Sequence, residues 1–469
     1  MVTETIPTTR AIAQDAITTL IASLRGVVIQ PGDAGYDDAR TVYNAMIDRY
    51  PALIVRCQDV ADVIAGVNFA REQGLLLAVR GGGHNGAGLG TVDDGLVLDL
   101  GLMNGVRVDP IARTARVEGG ALLSDLHHAT APFGLAMPSG IVASTGVGGI
   151  ALGGGIGHLT RQLGLTIDNL LEADVVLADG TFVTACESEN ADLFWALRGG
   201  GGNFGVVTSF LFKLHPISTL YAGPMLWPLE RAGEVMRWYR EFIVGAPETL
   251  NGFFAFLTVP PAAPFPEHLW NQKVCGIVWS STEPPERAEA TFASIRTRFS
   301  PPALDGVGPI SHEALQSMFD ALYPAGEQWY WKSHFVNEIP DAAVELHLQY
   351  AAELPTWKST VHLYPIDGVA SRVPKDATAW GHRDAHWGMT IIGVSADPGD
   401  NDRMIAWARE YWAALLPFST GGAYVNMTMD EGADRVRASY GDQYDRLARV
   451  KAIYDPDNLF RVNQNITPA

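Results

Sequence analysis

Three clusters of glycine are the part of this sequence whose residue types and spacing point most directly to chemistry. They match Gly-x-Gly-x-x-Gly or Gly-x-Gly-x-x-Ala at residues 81–86, 146–151 and 200–205. Because glycine has no side chain and adopts positive φ readily, the amide N–H groups of such loops can approach an anion and bind phosphate oxygens without basic residues. Two or three converging loops of this kind would suit the pyrophosphate of an extended dinucleotide. The alternative is that each cluster only makes a tight turn.

The surroundings of the clusters argue against a Rossmann dinucleotide site. That site needs a strand before the glycines and a helix that begins on them. Residues 138–140, before the second cluster, read Pro-Ser-Gly and are no buried strand, and the third cluster leads into a strand-like run at 206–210. The first cluster follows a strand but contains too much glycine to begin a helix. Rossmann binding is therefore poorly supported.

The elements that must position these loops follow from hydrophobic periodicity. Before residue 213 the pattern predicts amphipathic helices at 11–30 and 59–73, and short strands at 75–79, 96–100, 175–177 and 206–212. After residue 213 the glycine clusters stop and longer strands are predicted at 252–259, 274–280, 360–366 and 389–394. Further helices are predicted at 229–244, 284–298, 402–416 and 433–453. The pattern indicates an α+β protein, with an antiparallel sheet covered by helices in its second part.

Composition limits the class of protein and its partners. A hydrophobic fraction of 47% and a charged fraction of 18% are typical of a well-packed globular chain, and 469 residues are too many for one core. The net charge of −19 argues against nucleic acid, because phosphate binding needs clustered Lys and Arg. A neutral or cationic small substrate fits better. The three cysteines are far apart and predict no disulfide framework.

No membrane association or export signal is expected. The N-terminus lacks a basic stretch followed by an apolar run, and no stretch reaches the ~18 uninterrupted apolar residues of a membrane span. We therefore expect a cytoplasmic enzyme. Its oligomeric state is left open by the sequence.

Four motifs, in order along the chain, resemble a known family. They are VRGGGHN at 79–85, GVGGIALGGGIG at 146–157, LFWALRGGGGNFGVV at 193–207 and DPDNLFRVNQN at 455–465. Together they resemble the berberine-bridge-enzyme-like group within the vanillyl-alcohol-oxidase, or PCMH-type, FAD-binding fold. The resemblance runs from about residue 35 to 466 and is closest to bacterial members with a singly linked flavin.

The resemblance implies three parts and a covalent cofactor. A PCMH-type FAD-binding domain is expected at 1–212, a substrate-binding domain at 213–422, and a C-terminal segment that returns to the FAD domain at 423–469. FAD is expected to be bound through a single link from His84 to the 8α-methyl group of the flavin. Histidine suits this role because a neutral imidazole nitrogen is nucleophilic near pH 7. The alternative is a solvated histidine in a surface loop.

The family motifs also imply which residues surround the cofactor. The expected FAD-binding residues, besides His84, are Arg80, Gly81, Gly82, Gly83, Asn85, Gly88, Ser139, Gly140, Val142, Gly146, Gly148, Gly149, Gly154, Gly157, Gly205, Val207, Asn463 and Asn465. The two asparagines could instead be polar residues that end a C-terminal loop. Val142 stands where many relatives have a cysteine that makes a second flavin link. Because valine cannot form a thioether, we expect His84 to make the only covalent link to the flavin. A single link argues against a carbohydrate as the substrate.

Four residues are candidates for catalytic roles. Thr145 falls at the position that controls access of dioxygen to the flavin in the family, and its volume is close to that of the valine found in oxidases. Tyr424 begins a segment that resembles the family's Tyr-x-Asn-Tyr element, whose last tyrosine often assists proton removal. Met427 replaces that tyrosine and cannot act as a base.

Another base must therefore be sought in the run 329–334, which resembles a substrate-domain strand facing the flavin. Alternation along a strand places Tyr330, Lys332 and His334 on one face. Lys332 could serve as a base or orient the substrate, with Tyr330 beside it. The alternative is that this aromatic run is sheet packing. No metal site is expected, because the adjacent His127 and His128 point apart on a helix.

The leading hypothesis is an FAD-dependent oxidase. It would oxidise a small organic substrate, such as an amine, an alcohol or a secondary metabolite, by hydride transfer to flavin N5. Dioxygen would then reoxidise the flavin and give hydrogen peroxide. A dehydrogenase, an oxygenating or cyclising tailoring enzyme, and a flavin-bearing protein without turnover remain as alternatives.

Overall fold

The computed structural model describes residues 12–298 and 301–469. Its strands are β1 Val27–Ile29, β2 Leu53–Arg56, β3 Leu77–Arg80, β4 Leu96–Asp99, β5 Val106–Asp109, β6 Thr114–Glu118, β7 Leu135–Ala136, β8 Leu170–Val176, β9 Phe182–Cys186, β10 Val206–Lys213, β11 His215–Pro216, β12 Thr219–Pro228, β13 Leu250–Thr258, β14 Lys273–Ser281, β15 Leu304–Asp305, β16 Gly308–Ser311, β17 Gln328–Val336, β18 Thr360–Pro365 and β19 Trp387–Ser395.

The α-helices lie between and after these strands. They are α1 Gln14–Ser23, α2 Tyr36–Arg40, α3 Val60–Gln73, α4 Leu123–Thr130, α5 Val147–Gly153, α6 Thr160–Leu163, α7 Ala191–Leu197, α8 Ala232–Gly245, α9 Pro285–Arg298, α10 His312–Gln316, α11 Asp341–Ala352, α12 Val369–Arg372, α13 Asn401–Leu415, α14 Ala433–Tyr440 and α15 Tyr444–Tyr454. The expected α+β class is confirmed. None of the helices within the described ranges is long and apolar enough to cross a membrane.

Two sheets form before residue 214. The first has the order β1-β2-β4-β3, with parallel pairing among β2, β4 and β3. The second is antiparallel, with the order β5-β6-β10-β8-β9. Helix α3 begins because the carboxylate of Asp59 accepts hydrogen bonds from the amides of Ala61 and Asp62, and it ends before Gly74, whose φ is +66°.

A third sheet, of eight antiparallel strands, occupies residues 219–395. Its order is β15-β12-β14-β13-β18-β19-β17, and β16 pairs with β12. Helices α8, α11 and α13 pack on one of its faces, in a core that contains Trp279 and Tyr411. The predicted antiparallel sheet covered by helices is therefore confirmed. The division into three parts at 212 and 422 stays a prediction.

Buried polar contacts join the third sheet to the first glycine cluster. The amide of Asn44 donates to the carbonyl of Gly86 at 2.7 Å and to the carbonyl of Trp329 at 2.9 Å. A Cβ atom on Gly86 would lie 2.6 Å from the indole ring of Trp331. Strand β17 therefore lies directly against the first loop, and Gly86 makes this close approach possible.

Two predicted helices end differently in the structure. The helix expected at 11–30 stops at Ser23, because β1 pairs with β2 and brings the Gly26 backbone against Arg56; residue 11 lies outside the described residues. The helix expected at 433–453 is two helices, α14 and α15. They are separated at Gly441, whose φ of +52° does not fit a right-handed helix.

Candidate functional site

The three glycine clusters converge on one cavity of about 310 Å³. The loop after β3, the segment 140–149 and the segment 201–205 form one side of it. Strands β17, β18 and β19 of the third sheet form the opposite side. The C-terminal residues 424–427 and 460–464 complete the lining. Residues from each of the four sequence motifs thus line the cavity.

The loop after β3 is positioned by the end of the first sheet. Strands β3 and β4 run parallel in a register that places Arg80 beside Asp99, and the guanidinium lies 3.0 Å from the Asp99 carboxylate. At its other side, Gly82 approaches the second cluster: a Cβ atom there would lie 2.5 Å from the amide nitrogen of Gly146. Only glycine permits two backbones to pass this closely.

His84 lies at the tip of this loop and lines the cavity. The ring of Tyr43 stacks on its imidazole, with centroids 3.7 Å apart, and Trp331 lies 6.3 Å away on the third sheet. The buried Nε2 atom has no hydrogen-bond partner among the described residues. Loss of hydration lowers the pKa of His84 to about 4. The imidazole is therefore neutral, and nucleophilic, at pH 7.

Bare backbone opens on the cavity in the second and third clusters. Around Gly149 and around Gly202, no heavy atom lies within 4 Å of the place that a Cβ atom would take. Both residues line the cavity, so side chains there would project into open space. The arrangement leaves room and amide groups for an elongated ligand.

Most of the expected cofactor-binding residues line this cavity. They are Arg80, Gly81, Gly82, Gly83, His84, Asn85, Gly140, Val142, Gly146, Gly148, Gly149, Gly205, Val207 and Asn463. The amide of Asn463 donates to the carbonyls of Gly202 and Phe460, and its buried Oδ1 has no partner among the described residues. Asn463 therefore connects the C-terminal loop to the third glycine cluster and retains a free acceptor.

Five expected residues are not part of the cavity lining. A Cβ atom on Gly88 would meet Ile47 at 2.5 Å, and one on Gly157 would meet the carbonyl of Ser139 at 1.8 Å. These glycines serve close packing, which explains their place in the motifs without contact to a ligand.

Of the other three, Ser139 and Gly154 also face protein. The hydroxyl of Ser139 accepts a hydrogen bond from Gln316 at 2.7 Å. Gly154, at a φ of +133°, packs against Trp380. The side-chain oxygen of Asn465 is buried and unpaired within the described part of the chain, but Asn465 is not part of the cavity lining.

Two of the four catalytic candidates, Thr145 and Tyr424, line the cavity. The hydroxyl oxygen of Tyr424 accepts hydrogen bonds from the amide of Gly155 at 2.9 Å and from the side chain of Asn426 at 3.0 Å. Burial raises the pKa of Tyr424 to about 12, so that the phenol keeps its proton at pH 7. Met427 also lines the cavity.

The other two candidates, Tyr330 and Lys332, lie on the opposite face of the sheet. Strand alternation places Tyr330, Lys332 and His334 together as predicted, but helix α13 covers that face. The Lys332 ammonium lies 2.6 Å from Glu431, and the Tyr330 hydroxyl accepts a hydrogen bond from Arg409 at 2.9 Å. In contrast to the expectation from the sequence, neither Tyr330 nor Lys332 is therefore part of the cavity lining. Trp329 and Trp331, on the alternate positions of β17, line the cavity instead.

A hydrogen-bonded group that sequence analysis missed lies on the third-sheet side of the cavity. His362 Nδ1 lies 2.7 Å from the Tyr364 hydroxyl, and His362 Nε2 lies 3.3 Å from the Tyr323 hydroxyl. We call Tyr323, His362 and Tyr364 the Tyr-His-Tyr chain. His362 and Tyr364 are two residues apart on β18, so alternation along the predicted strand could have found that pair. Tyr323 precedes β17 and has no such signal.

Within the described ranges, no group of three or more His, Cys, Asp and Glu side chains is placed to hold a metal ion. Cys57, Cys186 and Cys275 are free thiols, and none of them lines the cavity.

Two family profiles match the chain. The FAD binding domain matches residues 51–185, and the berberine and berberine-like domain matches residues 423–467. The chain is 32% identical to the (R)-6-hydroxynicotine oxidase of Paenarthrobacter nicotinovorans over 460 residues, which cover 95% of this chain and 97% of the relative. It is 30% identical to the xylooligosaccharide oxidase of Thermothelomyces thermophilus, over 91% of this chain and 89% of that one.

The fold agrees with these matches. The crystal structure of 6-hydroxy-D-nicotine oxidase from Arthrobacter nicotinovorans superposes with a TM-score of 0.86 at 28% identity, covering 98% of this chain and all of the other. The expected PCMH-type FAD-binding fold is thereby confirmed. The chain is an enzyme that belongs to the berberine-bridge-enzyme-like family of FAD-linked oxidoreductases.

Proposed function

We propose that this enzyme is an oxidase that carries FAD through one covalent bond from His84. The observation that carries the proposal is the state of His84. Its ring is neutral, it lines the cavity, it is held by Tyr43, and its Nε2 atom has no partner among the described residues. A buried polar atom without a partner needs an explanation, and a ligand in the cavity would supply one for His84.

The rest of the cavity fits the same cofactor. The glycine loops at 81–83, 146–149 and 201–205 would hold the dinucleotide through backbone amides, and Asn463 would offer its free side-chain oxygen. When bound, FAD would accept a hydride from the substrate and pass the electrons to dioxygen, which gives hydrogen peroxide. The protein supplies orientation and exclusion of water.

Two observations favour a single covalent link. Val142 lines the cavity at the place where relatives with a second link have a cysteine. Cys57, Cys186 and Cys275 lie outside the lining, so no thiol is available there.

Acid denaturation tests the covalent bond. After precipitation and washing, the wild-type polypeptide should stay yellow and its mass should exceed that of the bare chain by one FAD. The His84→Ala variant should release its flavin, whereas His128→Ala, at an exposed position, should keep it. A colourless wild-type polypeptide of unmodified mass would exclude the bond.

The oxidase assignment has its own test at Thr145, which lines the cavity. In stopped-flow mixing of the reduced enzyme with air-saturated buffer, the wild type should reoxidise at least as fast as it turns over. Thr145→Val keeps the side-chain volume and should behave alike, while the bulkier Thr145→Leu should slow reoxidation several-fold. Wild-type reoxidation slower than turnover would indicate a dehydrogenase.

A further inference from the structure

A buried ion pair joins two of the loops that line the cavity. Lys451 lies on α15 and Asp455 directly follows that helix. Both side chains are fully buried, and the ammonium lies 2.6 Å from the carboxylate. Neither residue is part of the cavity lining. Because charges out of contact with water are costly, a pair of this kind persists only where further hydrogen bonds satisfy both groups.

The ammonium of Lys451 has three hydrogens and uses each on a different acceptor. Besides bonding Asp455, it donates to the backbone carbonyl of Asn203 at 2.6 Å and to that of Phe460 at 3.0 Å. Asn203 belongs to the third glycine cluster, Phe460 belongs to the loop after α15, and both line the cavity. An ammonium donates three hydrogen bonds and accepts none, so its capacity is filled here. Lys451 thus ties the two loops together without lining the cavity itself.

The carboxylate of Asp455 fixes the start of the loop after α15. It accepts hydrogen bonds from the backbone amides of Leu459 at 2.8 Å and Phe460 at 2.9 Å. The loop then continues through Asn463 and Gln464, which line the cavity. The partners of the ion pair therefore lie in segments that line the cavity or lead into its lining.

The side chain of Asn203 adds contacts at the other end of the same loop. Its amide donates to the carbonyl of Gln464 at 3.1 Å, and its oxygen accepts a hydrogen bond from the amide of Ile466 at 2.9 Å. Lys451 acts at the start of the loop instead. Without the ammonium, the carbonyls of Asn203 and Phe460 would each lose a buried charged donor. The start of the loop would then lose this connection to the third glycine cluster.

We propose that Lys451 is a positioning residue for FAD, and that its ammonium holds the third glycine cluster and the loop after α15 at the spacing that the cofactor requires. This inference rests on the proposed function in taking the cavity as the site of FAD. Lys451 acts on the cofactor through Asn203 and Phe460. If the two loops are not held together beforehand, binding must order them, and the affinity falls because of that cost.

Equilibrium ultrafiltration of the purified holoprotein tests the proposal, because the flavin absorbance of the filtrate gives the dissociation constant of FAD. The measurement is made in the His84→Ala background, in which the cofactor can exchange. There Lys451→Met should raise the dissociation constant about tenfold or more, the effect of losing one hydrogen bond to a charged group. An unchanged constant would overturn the proposal.

The double variant Lys451→Met/Asp455→Asn separates positioning from stability. It leaves no charge buried alone, and asparagine keeps an oxygen for the amides of Leu459 and Phe460. It should therefore recover most of the free energy of unfolding, measured in urea, that Lys451→Met loses. It does not restore the bonds to the carbonyls of Asn203 and Phe460, so the dissociation constant of FAD should stay raised. Recovery of the affinity together with the stability would overturn the proposal.

Lys332→Met is the matched control. It also breaks a nearly buried ion pair, with Glu431, but neither residue lines the cavity. This variant should lose stability and keep the dissociation constant of FAD, measured at a temperature where every variant is folded. A rise equal to that of Lys451→Met would show that affinity only follows stability, and would overturn the proposal.

The covalent bond and the reaction with dioxygen do not enter this measurement. If acid denaturation releases the flavin of the wild type, the ultrafiltration is done with His84 in place. Released flavin together with weakened binding in Lys451→Met would contradict the proposed function alone. An acid-stable flavin together with unchanged binding in Lys451→Met would contradict this inference alone.

Discussion

The ring of Tyr43 stacks on the imidazole of His84 at a centroid distance of 3.7 Å and an angle of 23°. The hydroxyl of Tyr43 donates to the backbone carbonyl of Tyr323 at 2.8 Å, which fixes the orientation of the stacked ring. Tyr323, which precedes β17, thereby helps to hold a histidine in the first glycine loop. The relationship gives Tyr43 a positioning role in attachment of the cofactor.

Replacing Tyr43 should therefore change how completely the flavin is attached. Tyr43→Ala removes the stacked ring and should lower the covalent fraction of bound FAD several-fold. Tyr43→Phe keeps the ring and should stay near the wild-type fraction. The measurement is the ratio of acid-stable to total flavin in protein that is folded at the temperature of the assay. Full covalent attachment in Tyr43→Ala would show that stacking plays no part.

Filling the open space at Gly149 should expel the cofactor without unfolding the protein. No heavy atom lies within 4 Å of a Cβ atom at Gly149, which lines the cavity, so Gly149→Leu meets no neighbour and places a bulky side chain at the cavity wall. We expect this variant to lose most of its bound flavin. Gly245→Leu is the control, because Gly245 has equally open surroundings but lies outside the cavity. Normal flavin content in Gly149→Leu would place the cofactor elsewhere.

Removing the Lys332 ammonium should affect stability and leave catalysis intact. The Lys332 and Glu431 side chains are only 9% and 12% exposed, so Lys332→Met leaves the Glu431 carboxylate nearly buried beside Arg435 alone. We expect a loss of about 3 kcal/mol in the free energy of unfolding. The rate of flavin reduction per bound flavin should match the wild type. A large fall in that rate, with the flavin retained, would restore a catalytic role for Lys332.

Acid should destabilise the enzyme through its buried histidines. Burial lowers the pKa of His158, His347 and His362 to about 3 and that of His312 to about 4. Between pH 6.5, the usual histidine value, and about pH 4, the unfolded chain binds protons that the folded chain does not. The free energy of unfolding is therefore greatest above pH 6.5 and should fall by about 1.4 kcal/mol per pH unit for each such histidine.

Urea unfolding at pH 7.5, 6.0 and 5.0 measures this slope. His347→Gln removes one buried imidazole and should make the slope shallower, whereas His128→Gln removes an exposed one and should not. A free energy of unfolding that stays constant from pH 7.5 to 5.0 would contradict the neutral state of the buried rings.

Sequence patterns were sufficient to predict most of the glycines that line the cavity. The glycines expected at a cofactor site that do line the cavity are Gly81, Gly82, Gly83, Gly140, Gly146, Gly148, Gly149 and Gly205. The family motifs also placed Gly88 and Gly157 at the site, although both serve packing. A motif marks the positions where glycine is needed, and it does not separate contact with a ligand from contact with a neighbouring loop.

The sequence by itself determined the α+β class, the loops that carry the glycines and His84, and the set of residues that share each face of β17. Only the tertiary structure decided which face of β17 meets the cavity. Alternation is symmetric between the two faces, and α13 covers the one with Tyr330 and Lys332. The Tyr-His-Tyr chain was likewise decided by packing. Tyr323 lies 39 residues before His362, and no local pattern brings side chains that distant into contact.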